Sequence, residues 1–146
     1  MKIAIVGTRG LSLSSVVDHV LGILWKLGAS DCVLLRRGRS TPASRFESEV
    51  DFMCRVWLKI PVKWCEPSKD VVGRGSVYLR DVAMVRDSDV VLAFLVGSDA
   101  DEGNSGTWHV VQKAIEVDRP VYAFRVVGDT VERVGEIDIE QKNSVH

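Results

Sequence analysis

Val90-Val91-Leu92-Ala93-Phe94-Leu95 is six apolar residues with no polar interruption. A strand with one wet face alternates apolar and polar residues. A continuous run of this length, bounded by turn-forming residues, predicts a strand buried on both faces, the kind found in parallel sheets covered by helices. On its C-terminal side, Gly97 to Asn104 is a loop rich in Asp and Gly. Ser105-Gly106-Thr107 then opens a helix running to about Val117, and Pro120 to Val126 reads as a closing parallel strand. On its N-terminal side, Leu79, Val82 and Ala83 mark a helix ending near Arg86.

The same alternation reaches back to the start of the chain. Lys2 to Val6 is a short apolar run that ends in Gly7-Thr8-Arg9-Gly10, a strand followed by a tight loop. Ser12 and Ser14 are candidate N-caps for a helix of about Ser14 to Leu27, whose Val16, Val17, Val20, Leu21, Leu24 and Leu27 recur at helical period. Gly28 stands where a helix-terminating glycine is expected. Cys32 to Leu35 is a second buried strand, closed by Arg36-Arg37-Gly38. Ser44 and Glu47 have the spacing of a capping box, followed by Phe46, Val50, Met53 and Trp57 on one helical stripe. Pro61 to Cys65 is a third strand with proline at its first position, and Glu66 to Arg74 is a polar loop. Strand–helix alternation of this kind predicts an α/β, Rossmann-like three-layer sandwich. Its mainly parallel sheet would have about five strands in the order 3-2-1-4-5, joined by right-handed crossovers. The 146 residues suit one domain; positions 129–146 fit either an added edge strand or a frayed tail.

Composition narrows the class. Hydrophobic residues at 46% and charged residues at 27% are the balance of a globular chain that can bury a core. No apolar run approaches the roughly 20 residues of a membrane span, and the N-terminal run is too short for a secretory signal, so a cytoplasmic location is expected. Cys32, Cys54 and Cys65 are odd in number and lack CxxC spacing. They read as free thiols, with neither a disulfide framework nor a zinc site. The net charge of −1 conceals a basic middle: Arg36 to Arg86 carries 11 Lys/Arg against 6 Asp/Glu, and the remainder is correspondingly acidic. The four tryptophans, Trp25, Trp57, Trp64 and Trp108, read first as core residues.

In an open α/β sheet, ligands bind outside the carboxyl ends of the strands, where strand order reverses. Here that predicts a crevice between the first and fourth strands, with two helix N-termini presenting unpaired N–H groups and positive dipole ends. The candidate ligand-binding residues are Gly7, Thr8, Arg9 and Gly10 on the first loop, and Arg37 and Gly38 after the second strand. Arg80, Asn104, Ser105, Gly106, Thr107 and Trp108 complete the set. The glycines permit close backbone approach, Ser105 and Thr107 add hydroxyl donors, and Arg9, Arg37 and Arg80 supply charge-assisted contacts to phosphate. Trp108 follows Gly106-Thr107 directly, where it could stack on a nucleobase. No metal and no cofactor beyond a nucleotide-type ligand is expected.

Several of these segments resemble the SLOG superfamily, in particular its small YspA-like members. Ile3-Ala4-Ile5-Val6-Gly7-Thr8-Arg9 resembles the superfamily's opening strand. Gly75-Ser76, Arg80-Asp81-Val82-Ala83-Met84-Val85 and Asp89-Val90-Val91-Leu92-Ala93-Phe94 resemble the YspA-like helix leading into a D-x-x-x-A-F strand. Ser105-Gly106-Thr107 through Ala114 to Pro120-Val121 resembles the SxGT helix and closing strand. The similarity spans roughly residues 2 to 127. It implies a Rossmann-like nucleotide-binding domain, a homo-oligomer, and a possible phage origin, since phage-encoded versions of such domains are common. Two departures stand out. Arg36-Arg37-Gly38-Arg39-Ser40-Thr41-Pro42 replaces the glycine-rich loop after the second strand. Val110 occupies the place where the related LOG phosphoribohydrolases and nucleoside deoxyribosyltransferases carry a catalytic Glu. An oxocarbenium-like centre needs a nearby carboxylate, which valine does not provide. The resemblance therefore implies binding or sensing without turnover. One alternative is an N-glycosidase or deoxyribosyltransferase-like enzyme with a relocated carboxylate, drawn from Asp99, Asp101, Glu102, Glu47, Glu49 or Asp51. The other is single-stranded nucleic-acid binding like that of the DNA-processing protein DprA. Glu47 reads more economically as a cap. His109, in the first turn of its helix, suits a surface or ribose contact, and His19 and His146 show no obvious partner.

Overall fold

The computed structural model describes residues 1–8, 10–37, 45–65, 74–96, 106–128 and 130–133, with backbone only at 29 and 74–78. Six strands form one sheet in the order β3-β2-β1-β4-β5-β6. They are β1 (Lys2–Gly7), β2 (Val33–Arg37), β3 (Val62–Cys65), β4 (Val90–Val96), β5 (Val121–Val127) and β6 (Thr130–Arg133). The first five are parallel, in the anticipated order. The sixth adds an antiparallel edge beside β5, resolving the tail as far as Arg133 in favour of an edge strand. Positions 134–146, including His146, lie outside the described residues. β4 is central, with the first six of its seven residues buried, which explains its unbroken apolar sequence.

Side-chain alternation along β1 and β4 sends Ile3, Ile5, Leu92 and Phe94 to one face of the sheet and Ala4, Val6, Val91 and Ala93 to the other. Two helices cover the first face: α1 (Val17–Lys26), through Val20 and Leu24, and α2 (Arg45–Phe52), through Phe46 and Val50. On the second face lie α3 (Arg74–Asp87), through Met84 and Val85, and α4 (Gly106–Glu116), through Val110, Val111 and Ala114. The three-layer Rossmann-like architecture follows. Among the described residues no helix is long and apolar enough to cross a membrane.

Three local readings need correction. Neither Ser12 nor Ser14 caps α1. Leu13–Ser15 forms a 3-10 turn whose Ser12 makes no side-chain capping bond, and α1 starts only at Val17. The turn is held by tertiary contact instead: Leu11 and Leu13 are buried, and Leu13 N–H donates to Glu49 Oε1 at 3.3 Å. Next, α2 continues into a π-helical segment, Met53–Trp57, marked by Leu58 N–H donating to Met53 O. The wider turn rotates later side chains off the buried stripe, so Trp57 is 74% exposed rather than in the core. Trp25 on α1 is also exposed. Finally, α3 begins at Arg74, earlier than its apolar positions suggested.

The cysteines are free, with Cys32 and Cys54 buried and Cys65 half-buried. Burial pushes all three thiols upward, Cys54 to about 12 with help from Asp51 and Cys32. Since the thiolate is the reactive form, a disulfide reagent at pH 8 should leave Cys32 and Cys54 unmodified in the native protein and label all three after unfolding. Prompt native-state labelling of Cys54 would contradict this burial.

Candidate functional site

Order reverses between β1 and β4, whose ends are in register at Gly7 and Phe94. Thr8 extends that pairing by one residue. Its N–H donates to the Phe94 carbonyl at 3.1 Å, and its Oγ1 accepts from Val96 N–H at 3.1 Å. The carboxyl ends of β1 and β4 thus lie side by side, where the predicted crevice would open. The same bonds correct one expectation. Thr8 is buried, its amide is occupied and its hydroxyl is engaged, so it staples two strands and does not present a free amide to a ligand.

Gly7 and Gly10 have structural explanations too. A Cβ on Gly7 would stand 2.3 Å from Phe46 Cδ1, so the missing side chain makes room for the ring that α2 lays over β1. Gly10 has φ +85, in the left-handed region that glycine favours, within a turn closed by Leu11 N–H donating to the Thr8 carbonyl. Arg9, Gly38, Asn104 and Ser105 lie outside the described residues, as do Asp99, Asp101 and Glu102.

Arg37 and Gly106, chosen from separate loops of the sequence, come together. Arg37 is the last residue of β2. Its Nε donates to Glu47 Oε1 at 2.7 Å and its Nη2 to Glu47 Oε2, a bidentate pair with a carboxylate that is almost fully buried. The remaining nitrogen, Nη1, lies 3.8 Å from where a Cβ on Gly106 would stand and has no hydrogen-bond partner among the described residues. Gly106 is the first residue of α4, where the first-turn N–H groups lack intrahelical acceptors and the dipole is positive. Glu47 therefore aims Arg37 at a helix N-terminus. Burial works against the charged guanidinium, but the Glu47 bonds and charge, with a smaller contribution from Asp81, outweigh it and hold Arg37 above its ordinary value.

Arg80 is buried and bonded to its neighbour Asp81 through Nε at 3.1 Å and Nη2 at 2.7 Å. The adjacent position keeps this pair charge-balanced. Thr107 is buried, and Trp108 packs against Leu95 and Ala123, an apolar seat on the sheet. Val110 is fully buried among Val6, Val91 and Ala114, so that turn of α4 faces the sheet. His19 is held edge-on to Phe124 and Phe94, with ring centroids 4.8 and 6.2 Å away. Among the described residues no cluster of His, Cys, Asp and Glu could hold a metal ion.

The sequence does not reveal Glu47 as the partner of Arg37. Its capping-box spacing was visible; the pairing with Arg37 depends on α2 crossing the end of β2, which no local pattern encodes. Ser44, the other half of that motif, lies outside the described residues. Among the described residues most cations of the middle basic segment are paired: Arg36 binds Asp51 and donates to Ser48 Oγ, and it stacks over Trp64 at 4.1 Å. No protein-family model, curated protein or solved structure matches the chain.

Proposed function

We propose that this protein binds a nucleotide or nucleotide-derived phosphate ligand at the carboxyl ends of β1 and β4, as a binding or sensing module of the SLOG-like kind. The observation that carries the reading is Arg37 Nη1, oriented by Glu47 and set against the N-terminus of α4. An anion between them would receive a charge-assisted bond from the guanidinium and further bonds from the helix amides. Thr8 offers the ligand no free amide, because it is committed to β4. Among the described residues, binding without turnover is favoured by the carboxylates nearby: Glu47 and Asp81 are each paired with an arginine, and Val110 is buried in the core.

Titration calorimetry against nucleoside mono-, di- and triphosphates and free phosphate tests this. Arg37→Lys keeps a cation for Glu47 but cannot serve both Glu47 and a ligand. Losing one charge-assisted bond of about 1.5–3 kcal/mol should weaken the best ligand roughly 10- to 100-fold. A panel in which nothing binds, or unchanged affinity in Arg37→Lys, defeats the proposal. Release of free base from a bound nucleotide would favour the glycosidase alternative. Tight binding of single-stranded DNA that falls steeply with salt would favour the nucleic-acid alternative.

A further inference from the structure

The layer formed by α1 and α2 carries aromatic surface that the fold does not use. Trp25 is 85% exposed, Trp57 74% and Phe52 52%. At 150–250 Å² per aromatic side chain these three leave on the order of 400 Å² in water. They are not scattered. Phe52 and Trp57 form one wall of an open trough of about 600 Å³, whose opposite wall is Val17 and Leu21 of α1. Trp25 continues the Val17–Leu21 row by one helical turn.

We infer that this trough is the interface of a symmetric dimer, its occupant a second copy of the chain. The inference is independent of the ligand reading, since the trough lies on the face of the sheet opposite α4. The area fits: a stable interface takes about 800 Å² from each partner, and the three aromatic side chains alone supply around half. A two-fold interface must offer projection and recess on one patch, because the same residues serve both sides. Here the projecting tryptophans stand on or beside the trough itself. The charges on its wall also suit self-association. Arg45 and Glu49 form an ion pair with each other at 3.4 Å, so two copies meet without like-charge repulsion, and no single-sign field selects a charged partner.

Sedimentation equilibrium of the full chain, up to about 100 µM, should give twice the 16.2 kDa chain mass. Trp57→Glu and Trp25→Glu should each shift the population to monomer. Leu79→Glu, at an exposed apolar position on α3, should leave the dimer intact. Far-UV circular dichroism and a thermal melt establish that each variant is folded. A monomeric wild type overturns the inference, whether or not the trough takes up a small apolar probe. So does a dimer that survives both tryptophan changes, or one lost equally in Leu79→Glu.

Discussion

Glu47→Gln should cost this protein about 3–5 kcal/mol of stability, the penalty for leaving one member of a buried ion pair without its countercharge. The amide keeps the size of the carboxylate but turns an NH2 group toward the guanidinium and removes the negative charge. Arg37, with its side chain only 13% exposed, then remains as an uncompensated cation beside the positive end of α4. For a chain of this length, a thermal midpoint about 10 °C or more below wild type is expected, with a matching fall in the urea midpoint. The high-pH side should be insensitive. A raised folded-state value means that the contribution of Arg37 is complete below the ordinary guanidinium range and is lost only above it, so no alkaline loss should trace to this pair at working pH.

A double change, Arg37→Met with Glu47→Leu, should recover most of that stability, because replacing both partners of a buried pair by apolar groups is often neutral. It should not recover ligand binding, which separates the architectural role of the pair from its proposed part in anion capture. A loss below about 1 kcal/mol in Glu47→Gln would show that Arg37 escapes to water, and the orientation of Nη1 would then carry no weight.

The sequence exposes the parts of this fold whose cause is local or periodic. β4 is legible because a strand covered on both faces has no room for a polar residue. The 3-2-1-4-5 order is legible because alternating strands and helices leave few right-handed arrangements. Arg37 and Gly106 are legible as strand-end and helix-start residues. The misreadings have long-range causes. Ser12 and Ser14 look like caps, yet the turn they flank is fixed by Leu13 bonding to Glu49 on another helix. Trp57 sits on the stripe of Phe46 and Val50 until the π-helical segment turns it outward. Thr8 looks like a phosphate donor in a glycine-rich loop, and only the pairing of β1 with β4 reveals that its amide and hydroxyl are taken. A functional motif and a structural staple use the same residues here, and the partner decides between them.

Gly7 poses that choice in its sharpest form, and Gly7→Ala should resolve it. A glycine at the end of the first strand of a Rossmann-like sheet suggests close approach of a ligand, in which case an added methyl would weaken binding and leave stability alone. The packing says otherwise. The methyl would lie 2.3 Å from Phe46 Cδ1 and 2.9 Å from its Cγ and Cε1, distances at which something must move. The Phe46 ring is fully buried and tilted against Phe94 with centroids 5.3 Å apart, so it has no solvent to swing into. Overpacking of this kind costs about 1–3 kcal/mol, and a rigid ring against backbone belongs at the upper end, a midpoint loss of roughly 5–10 °C. Phe46→Leu shortens the opposing side chain and should make the two changes non-additive. In a double-mutant cycle Gly7→Ala would cost at least about 1 kcal/mol less in the Phe46→Leu background. Additive losses would mean that the ring is not what excludes a side chain at position 7. Unchanged stability with weakened nucleotide binding would return Gly7 to the ligand.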